Sequence, residues 1–309
     1  MNFGKGFTLV ELAVVVVVIT LLLAAAMIPL STQIEVRNVA DTRRTMDGVR
    51  DALIGFAQAN GRLPCPANGT TAEGAVDSAT WGVPIAAGIE QWDPANLRCF
   101  IAFGVVPWST LGVPETDSWG RRFTYRVSPV FADAVSPPGG ATYETRATTV
   151  PPSPANQIPL CTPTPTPVLS SFALCSLGDI AVFTRSDATH SASALGSALA
   201  AIIISHGKNG YGARQPTGLR IIGPNDGNGD GVPDQNLDEA ANIGGNTVAS
   251  PGGANPYNQS AFFSRTPTLS ASGCSDTTGG SPFCEFDDIV VMLPAPQLMA
   301  RMVNAGRLP

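Results

Sequence analysis

Charge is scarce in this chain of 309 residues: Asp, Glu, Lys and Arg make up 14% of it, and histidine stands only at His190 and His206. A net charge of −6 disfavours nucleic acid as the main partner, because a phosphate backbone is held by clustered Lys and Arg. Two histidines, and sulfurs without Cys-x-x-Cys spacing, leave no zinc ligand set. A Gly-x-Ser-x-Gly elbow is missing, and Gly207-Lys208-Asn209-Gly210-Tyr211-Gly212 lacks the order and closing Lys-Ser/Thr of a phosphate loop. No internal repeat of solenoid length is visible. What the chain does hold is Gly, 32 times, and Pro, 27 times, which suits a loop-rich extracytoplasmic domain better than a cytosolic enzyme.

Six cysteines, Cys65, Cys99, Cys161, Cys175, Cys274 and Cys284, make an even set. Disulfides in an oxidising compartment are the natural reading, with free buried thiols as the plainer one. Among the pairings that six cysteines allow, the short spacings favour Cys161–Cys175 and Cys274–Cys284 and leave Cys65–Cys99.

The N-terminus is the most informative stretch. From Phe7 to Leu30 the side chains are apolar except Thr8, Glu11, Thr20 and the rigid Pro29. These 24 residues would rise about 36 Å as a helix, enough to cross a hydrocarbon core. A carboxylate inside such a run is costly and by default marks a functional site with a partner, so Glu11 stands out. The leader Met1–Gly6 carries Lys5 just before Gly6.

Gly6-Phe7-Thr8-Leu9-Val10-Glu11-Leu12 with the apolar helix behind it resembles the prepilin-type segment of the type IV pilin superfamily, which holds pilins and the pseudopilins of type II secretion. The resemblance implies that a membrane prepilin peptidase cuts after Gly6 and methylates the new amine of Phe7. It also implies that Glu11 pairs with the N-terminal amine of a neighbouring subunit. The chemistry agrees, since in hydrocarbon a carboxylate needs a cation and a free amine needs an anion. A cleaved secretory signal would share Lys5 and the small residues Ala24, Ala25 and Ala26, but would not ordinarily carry Glu11. Pro29 falls one place later than the helix proline common among pilins.

From Gln33 to Asn60 the apolar positions Val39, Met46, Val49, Leu53 and Phe56 recur at helical spacing among charged residues, and Asn60-Gly61 supplies a stop. This predicts an amphipathic helix laid on a sheet, with a kink or loosening at Pro29. Strands are expected at Phe100–Val106, Arg121–Val127, Asp179–Thr184, Ala200–Ser205 and Asp288–Leu293, and helices at Ser191–Leu199 and Pro296–Asn304. Residues 136–168 are rich in Pro and Thr and read as an exposed loop. Asp117-Ser118-Trp119-Gly120, leading into an aromatic strand, resembles a segment of major pseudopilins, with Trp119 expected to bury a large apolar area. Ser205-His206-Gly207-Lys208-Asn209-Gly210 resembles the Gly-rich turn after the next core strand.

Asp226, Asn228, Asp230 and Asp234 place oxygens at alternating positions, with Gly231 at the sharp turn and the Val232 carbonyl as a further ligand. That is the spacing of a Ca²⁺ loop, although position twelve is Leu237, with Asp238 and Glu239 just beyond; a solvated Asp/Asn/Gly turn reads the same. Enzyme signals are weak. Ser205 and His206 are sequence neighbours, which does not make a nucleophile–base pair, and Glu285, Asp287 and Asp288 read as the solvated start of a strand before a glycosidase-like pair.

The expected architecture is α+β and pilin-like: leader 1–6, membrane and filament-core helix 7–30, amphipathic helix 31–60, and a disulfide-stapled, loop-rich antiparallel domain over 61–309. The expected role is a structural minor pilin or pseudopilin, anchored by one pass in the bacterial inner membrane with its domain in the periplasm, and later part of a filament. Its partners would be other pilin subunits, the prepilin peptidase and the inner-membrane assembly platform, with no enzymatic role and Ca²⁺ as the one candidate cofactor. A tip adhesin on a pilin anchor is the alternative, and a membrane-tethered hydrolase the more distant one.

Overall fold

A computed structural model describes residues 8–77, 84–94, 98–132, 172, 174, 176–186, 192–227, 229–243 and 261–308, with the side chains of 22–32 outside the description. Gly6, Phe7, the cysteines Cys161 and Cys175, Asn228 and the Pro/Thr-rich stretch 136–168 lie outside the described residues.

The fold is mixed α+β. One helix, α1, runs from Leu9 to Asn60. It starts at a capping box: the Thr8 hydroxyl accepts from the Glu11 amide while the Glu11 carboxylate accepts from the Thr8 amide. It ends at Gly61, whose left-handed φ of 72° turns its N–H onto the Ala57 carbonyl at 2.7 Å. The element passes through Pro29 without a break, so over Leu9–Asn60 the two expected segments are one helix.

The chain then forms two short ribbons, β1 (Val76–Asp77) with β2 (Ile85–Ala86) and β3 (Trp92–Asp93) with β4 (Arg98–Cys99). The main sheet takes β5 (Phe103–Val105), β6 (Thr124–Val127), β7 (Ile180–Thr184), β8 (Ser193–Ser205), β9 (Ala261–Phe263) and β10 (Ile289–Pro294). Short helices α2 (Trp108–Leu111), α3 (Pro129–Ala132) and α4 (Leu237–Ala240) lie between strands, and α5 (Ala295–Asn304) follows β10 directly.

Strand β8 organises the sheet. Its C-terminal half pairs with β6 on one edge (Tyr125↔Ile203) and with β10 on the other (Val291↔Ile203), both antiparallel. Its N-terminal half pairs with β7 (Ile180↔Leu199). Two expectations are corrected here. Within the expected helix Ser191–Leu199, residues 193–199 are strand, because hydrogen bonding to β7 outweighs a weak helical preference. The sheet is mixed, since the short strand β9 runs parallel to β7.

Alternation along β8 serves two cores. Ala201 and Ile203 join Tyr125, Val127 and Leu293 on the face that α1 covers with Met46, Val49, Leu53, Ile54 and Ala57. Ile202 and Ile204 join Ile180, Val182, Leu199 and Phe262 on the opposite face. Phe56, expected in the helix stripe, is only half-buried; Ile54 and Ala57 take that place. Helix α5 adds Leu298, Met299 and Met302 to the first core. Arg307 then donates to the carbonyls of Gln58 and Ala59, at 2.7 and 2.5 Å, capping the end of α1.

Strand β7 continues the line of β6 along one edge of β8, so that Ser128 and Asp179 meet there. The Ser128 amide bonds the Ala200 carbonyl at 2.9 Å, the Gly178 amide bonds Ala198 at 3.4 Å, and Asp179 donates its amide to the Ser128 hydroxyl at 3.3 Å. A Cβ on Gly178 would lie 1.8 Å from the Leu199 carbonyl, so only glycine fits there. At this neck the fully buried Arg126 meets Asp179 at 2.8 Å, and Phe131 packs on Phe172 in a tilted arrangement, centroids 4.8 Å apart and planes at 56°. Among the described residues the disulfides Cys65–Cys99 and Cys274–Cys284 tie segments outside the main sheet.

An insertion whose ends already touch adds little to the order of the sheet. Replacing residues 133–171 by a short Gly/Ser turn, with Cys175→Ser, should therefore shift the thermal midpoint by only a few degrees. Arg126→Met, which leaves Asp179 buried without its cation, should cost about 3–5 kcal/mol in denaturant unfolding. The reverse ranking would contradict the continuous-strand description.

Candidate functional site

Two places gather the residues that the sequence singles out. The first is the start of α1. Glu11 uses Oε2 for both of its local bonds, from the Thr8 amide and the Thr8 hydroxyl, each at 2.9 Å. Around it the surface is apolar on every side: Leu9, Val10 and Leu12 are 85, 70 and 63% exposed, and exposure continues through Leu21. A helix that is hydrophobic all round is normally covered by lipid or protein. Among the described residues no helix is long and apolar enough to cross a membrane. The apolar run continues in the sequence through residues 22–30, whose side chains lie outside the description. A membrane crossing is thus an expectation from the sequence alone.

The second place is where the two Gly-rich turns meet the head of β10. In the first turn Asp117, not Trp119, is the anchor. Its Oδ1 accepts from the Trp119 and Arg121 amides at 2.9 and 3.0 Å, and its Oδ2 from the Ser205 hydroxyl at 2.7 Å. Trp119 is half-buried with its indole Nε1 shielded from solvent, and Gly120 follows it at φ 79°. Arg121 reaches from this turn to the carbonyls of Gly207, Lys208 and Asn209, joining it to the second turn.

His206 sits at that junction, 1% exposed, with Nε2 at 2.8 Å from the Thr124 hydroxyl and Nδ1 at 3.5 Å from Asp288 Oδ1. Hydroxyl, imidazole and carboxylate thus follow one another as in a hydrolase, but the imidazole has no solvent face for a substrate to reach. Ser205 points to Asp117, away from any such role.

Asp287 and Asp288, expected as a solvated strand start, are drawn inward beside Glu239 of α4, and the ligand oxygens of the three lie within 4.8 Å of one another. Burial, then Asp288 and Asp287, raise the Glu239 carboxyl well above its usual range against the amides of Asn209 and Asn236. Burial, then Asp288, push Asp287 up to about 7, with Glu285 adding to the shift and the amides of Asn209 and Lys208 opposing it. Nothing in the sequence places Glu239, 48 positions before Asp287, in this group; only the packing of α4 against the second turn does so.

Residue 238 takes the opposite course. Asp238 turns to Arg185 and Arg265, both at 2.8 Å, and shares Arg265 with Asp276. Neither Asp238 nor Glu239 therefore closes the Asp226 loop, as the displaced ligand position had suggested. In that loop Asp226 accepts from the Gly229, Asp230 and Gly231 amides at 2.7–3.1 Å, Asp230 from the Val232 amide at 2.7 Å, and Asp234 from the Gly227 amide at 3.3 Å. These are Asx-type turns that hold the loop by its own amides.

Residues 1–27 match the prokaryotic N-terminal methylation motif, which is characteristic of type IV pilin and pseudopilin precursors. The chain carries a prepilin-type segment. No curated protein and no solved structure matches the chain. The matched residues reach only into the first turns of α1.

The raised carboxyls set a pH response with a definite sign. Asp287 and Glu239, faced by Asp288, Glu285 and His206, keep protons in the folded chain at pH values where the unfolded chain has released them. The contribution of Asp287 is full below about pH 4 and is lost as pH rises through about 7, and the raised Glu239 carboxyl acts with the same sign. In buffer stripped of divalent cations, the thermal midpoint should fall from pH 5 to pH 7.5, and Asp287→Asn should flatten that fall. An unchanged slope in the variant would contradict the burial described.

Proposed function

We propose that the protein is a minor pilin or pseudopilin, a structural and non-enzymatic subunit of a type IV pilus or a type II secretion pseudopilus. Its precursor is cut after Gly6 by a prepilin peptidase and methylated at Phe7. The observation that carries this reading is a methylation motif leading into a single 52-residue helix, apolar and exposed at its start and packed on the sheet at its end.

On this reading residues 7–30 lie in the inner membrane before assembly, with the globular part in the periplasm, and move into the filament core through the inner-membrane platform. Glu11 has a specific place in it. The capping box with Thr8 keeps the carboxylate hydrogen-bonded in an isolated subunit, and both bonds fall on Oε2. Oε1 is left to meet the methylated amine of a neighbouring Phe7, where ion pairing in a water-poor core offsets desolvation. The bulk of a domain of roughly 250 residues disfavours close helical repetition, so the subunit is placed at low copy or at a tip.

Glu11→Ala should leave the protein processed and in the membrane fraction but absent from sheared filaments. Assembly of that variant at the wild-type level would count against the pairing and the subunit role built on it.

A further inference from the structure

A cavity of about 220 Å³ lies beside β5 and β6. Phe103 and Thr124 of those strands line it together with the segment 68–70, the turn 212–220 and the side chain of Ile243. Two guanidinium side chains, Arg214 and Arg220, belong to the lining, and no Asp or Glu does. In a chain of net charge −6 this is a local reversal of sign. The two arginines stand together because residues 214 and 220 face each other across an antiparallel bridge. A Cβ on Gly69 would come within 3.0 Å of Arg214 Cγ, so the glycine leaves that side chain its place in the wall.

The use made of the other arginines sets these two apart. Arg62, Arg122, Arg126, Arg185 and Arg265 each meet a carboxylate at 2.8 Å. Arg121 and Arg307 have no carboxylate but donate to several carbonyls. Among the described residues Arg214 and Arg220 have no carboxylate partner, and each donates a single hydrogen bond: Arg214 to the Gly218 carbonyl at 3.1 Å, Arg220 to the Asp230 carbonyl at 2.7 Å. A guanidinium carries five N–H donors in a fixed fork, so most of that capacity is open to solvent or to a ligand. Burial, then Arg220 and Arg122, pull Arg214 down to about 10. Burial also lowers Arg220, with Asp230 and Asp226 opposing the shift from beyond the lining. Gathering like charges in a part-buried place is unfavourable, and an anion between them would relieve it.

We propose that this cavity binds a small organic oxyanion, a carboxylate or a phosphate ester on a compact apolar body, with Arg214 and Arg220 holding the charged group. Guanidinium forks match both kinds of oxyanion two bonds at a time. Size sets the body. An apolar cavity of about 150 Å³ accepts benzene, so about 220 Å³ takes one ring together with its charged group. Phe103 and Ile243 supply the apolar contact for that ring. The site lies wholly in the domain after α1 and does not depend on the filament reading.

The test titrates the full-length protein in non-ionic detergent with phenyl phosphate, benzoate and inorganic phosphate at constant ionic strength, read by calorimetry and thermal unfolding. Phenyl phosphate or benzoate should bind one per chain with a Kd below about 1 mM and raise the midpoint, and the tighter of the two identifies the charged group. Inorganic phosphate, which lacks the ring, should bind roughly tenfold more weakly or worse. Arg214→Gln and Arg220→Gln should each weaken binding about tenfold, as expected for losing a charge-assisted hydrogen bond, while Arg301→Gln, at an exposed position, leaves it unchanged. Each of the first two variants removes one of two like charges, so its midpoint without ligand should be no lower than the parent's, which separates lost binding from lost fold. No binding of phenyl phosphate or benzoate at millimolar concentration, binding undiminished in both arginine variants, or inorganic phosphate binding as tightly as phenyl phosphate would each overturn the proposal.

Discussion

The packing of the last turns of α1 against the sheet is the constraint on which the rest of the domain depends. Met46, Val49, Leu53, Ile54 and Ala57 are buried against Tyr125, Val127, Ile203 and Leu293, so the registers of β6, β8 and β10 are fixed by the face the helix covers. A slip of one residue in β8 would bring Ile202 and Ile204 to α1 and turn Ile203 to the opposite core. Helix α5 and Arg307 then close over the helix end, and the Ser118 amide bonds Thr42 on α1 at 3.2 Å, so both family-like turns are also referred to this rod. The first turns of the same helix have no such cover. One element thus carries two surfaces, one covered by the sheet and one apolar and exposed from Leu9 to Leu21.

Few charges are present, and most of the buried ones have opposite partners. Arg122 meets Glu115, Arg126 meets Asp179, and Arg265 meets Asp238 and Asp276, with carbonyls filling further donor positions on Arg122 and Arg265. Pairs of this kind add little net stability but are costly to break, which makes them markers of position rather than sources of strength. Against that pattern the Glu239, Asp287 and Asp288 group stands apart, with amide donors and no guanidinium.

Much of the fold was legible in the residues. Helical spacing and Asn60-Gly61 located α1 and its end, and β-branched runs located β6, β7, β10 and the second half of β8 to within a few positions. The exception is the expected helix Ser191–Leu199, where only pairing with β7 makes residues 193–199 strand. The site divides in the same way. Glu11 is visible because a lone carboxylate in an apolar run is anomalous without any partner in view. Glu239 is invisible because its significance lies in contacts with residues 48 positions away. Asp287 and Asp288 carried a readable signal, two adjacent acids before an apolar strand, but its sense reversed on burial.

The central claim is that this helix enters a filament as a processed subunit, and the mass of the N-terminal peptide of the mature protein, isolated from membranes, tests it most directly. The account predicts a chain that begins at Phe7 and carries one methyl group on its amine. A chain that keeps Met1, or one that starts near Met27, would contradict it and leave Glu11 as nothing more than the cap of its own helix.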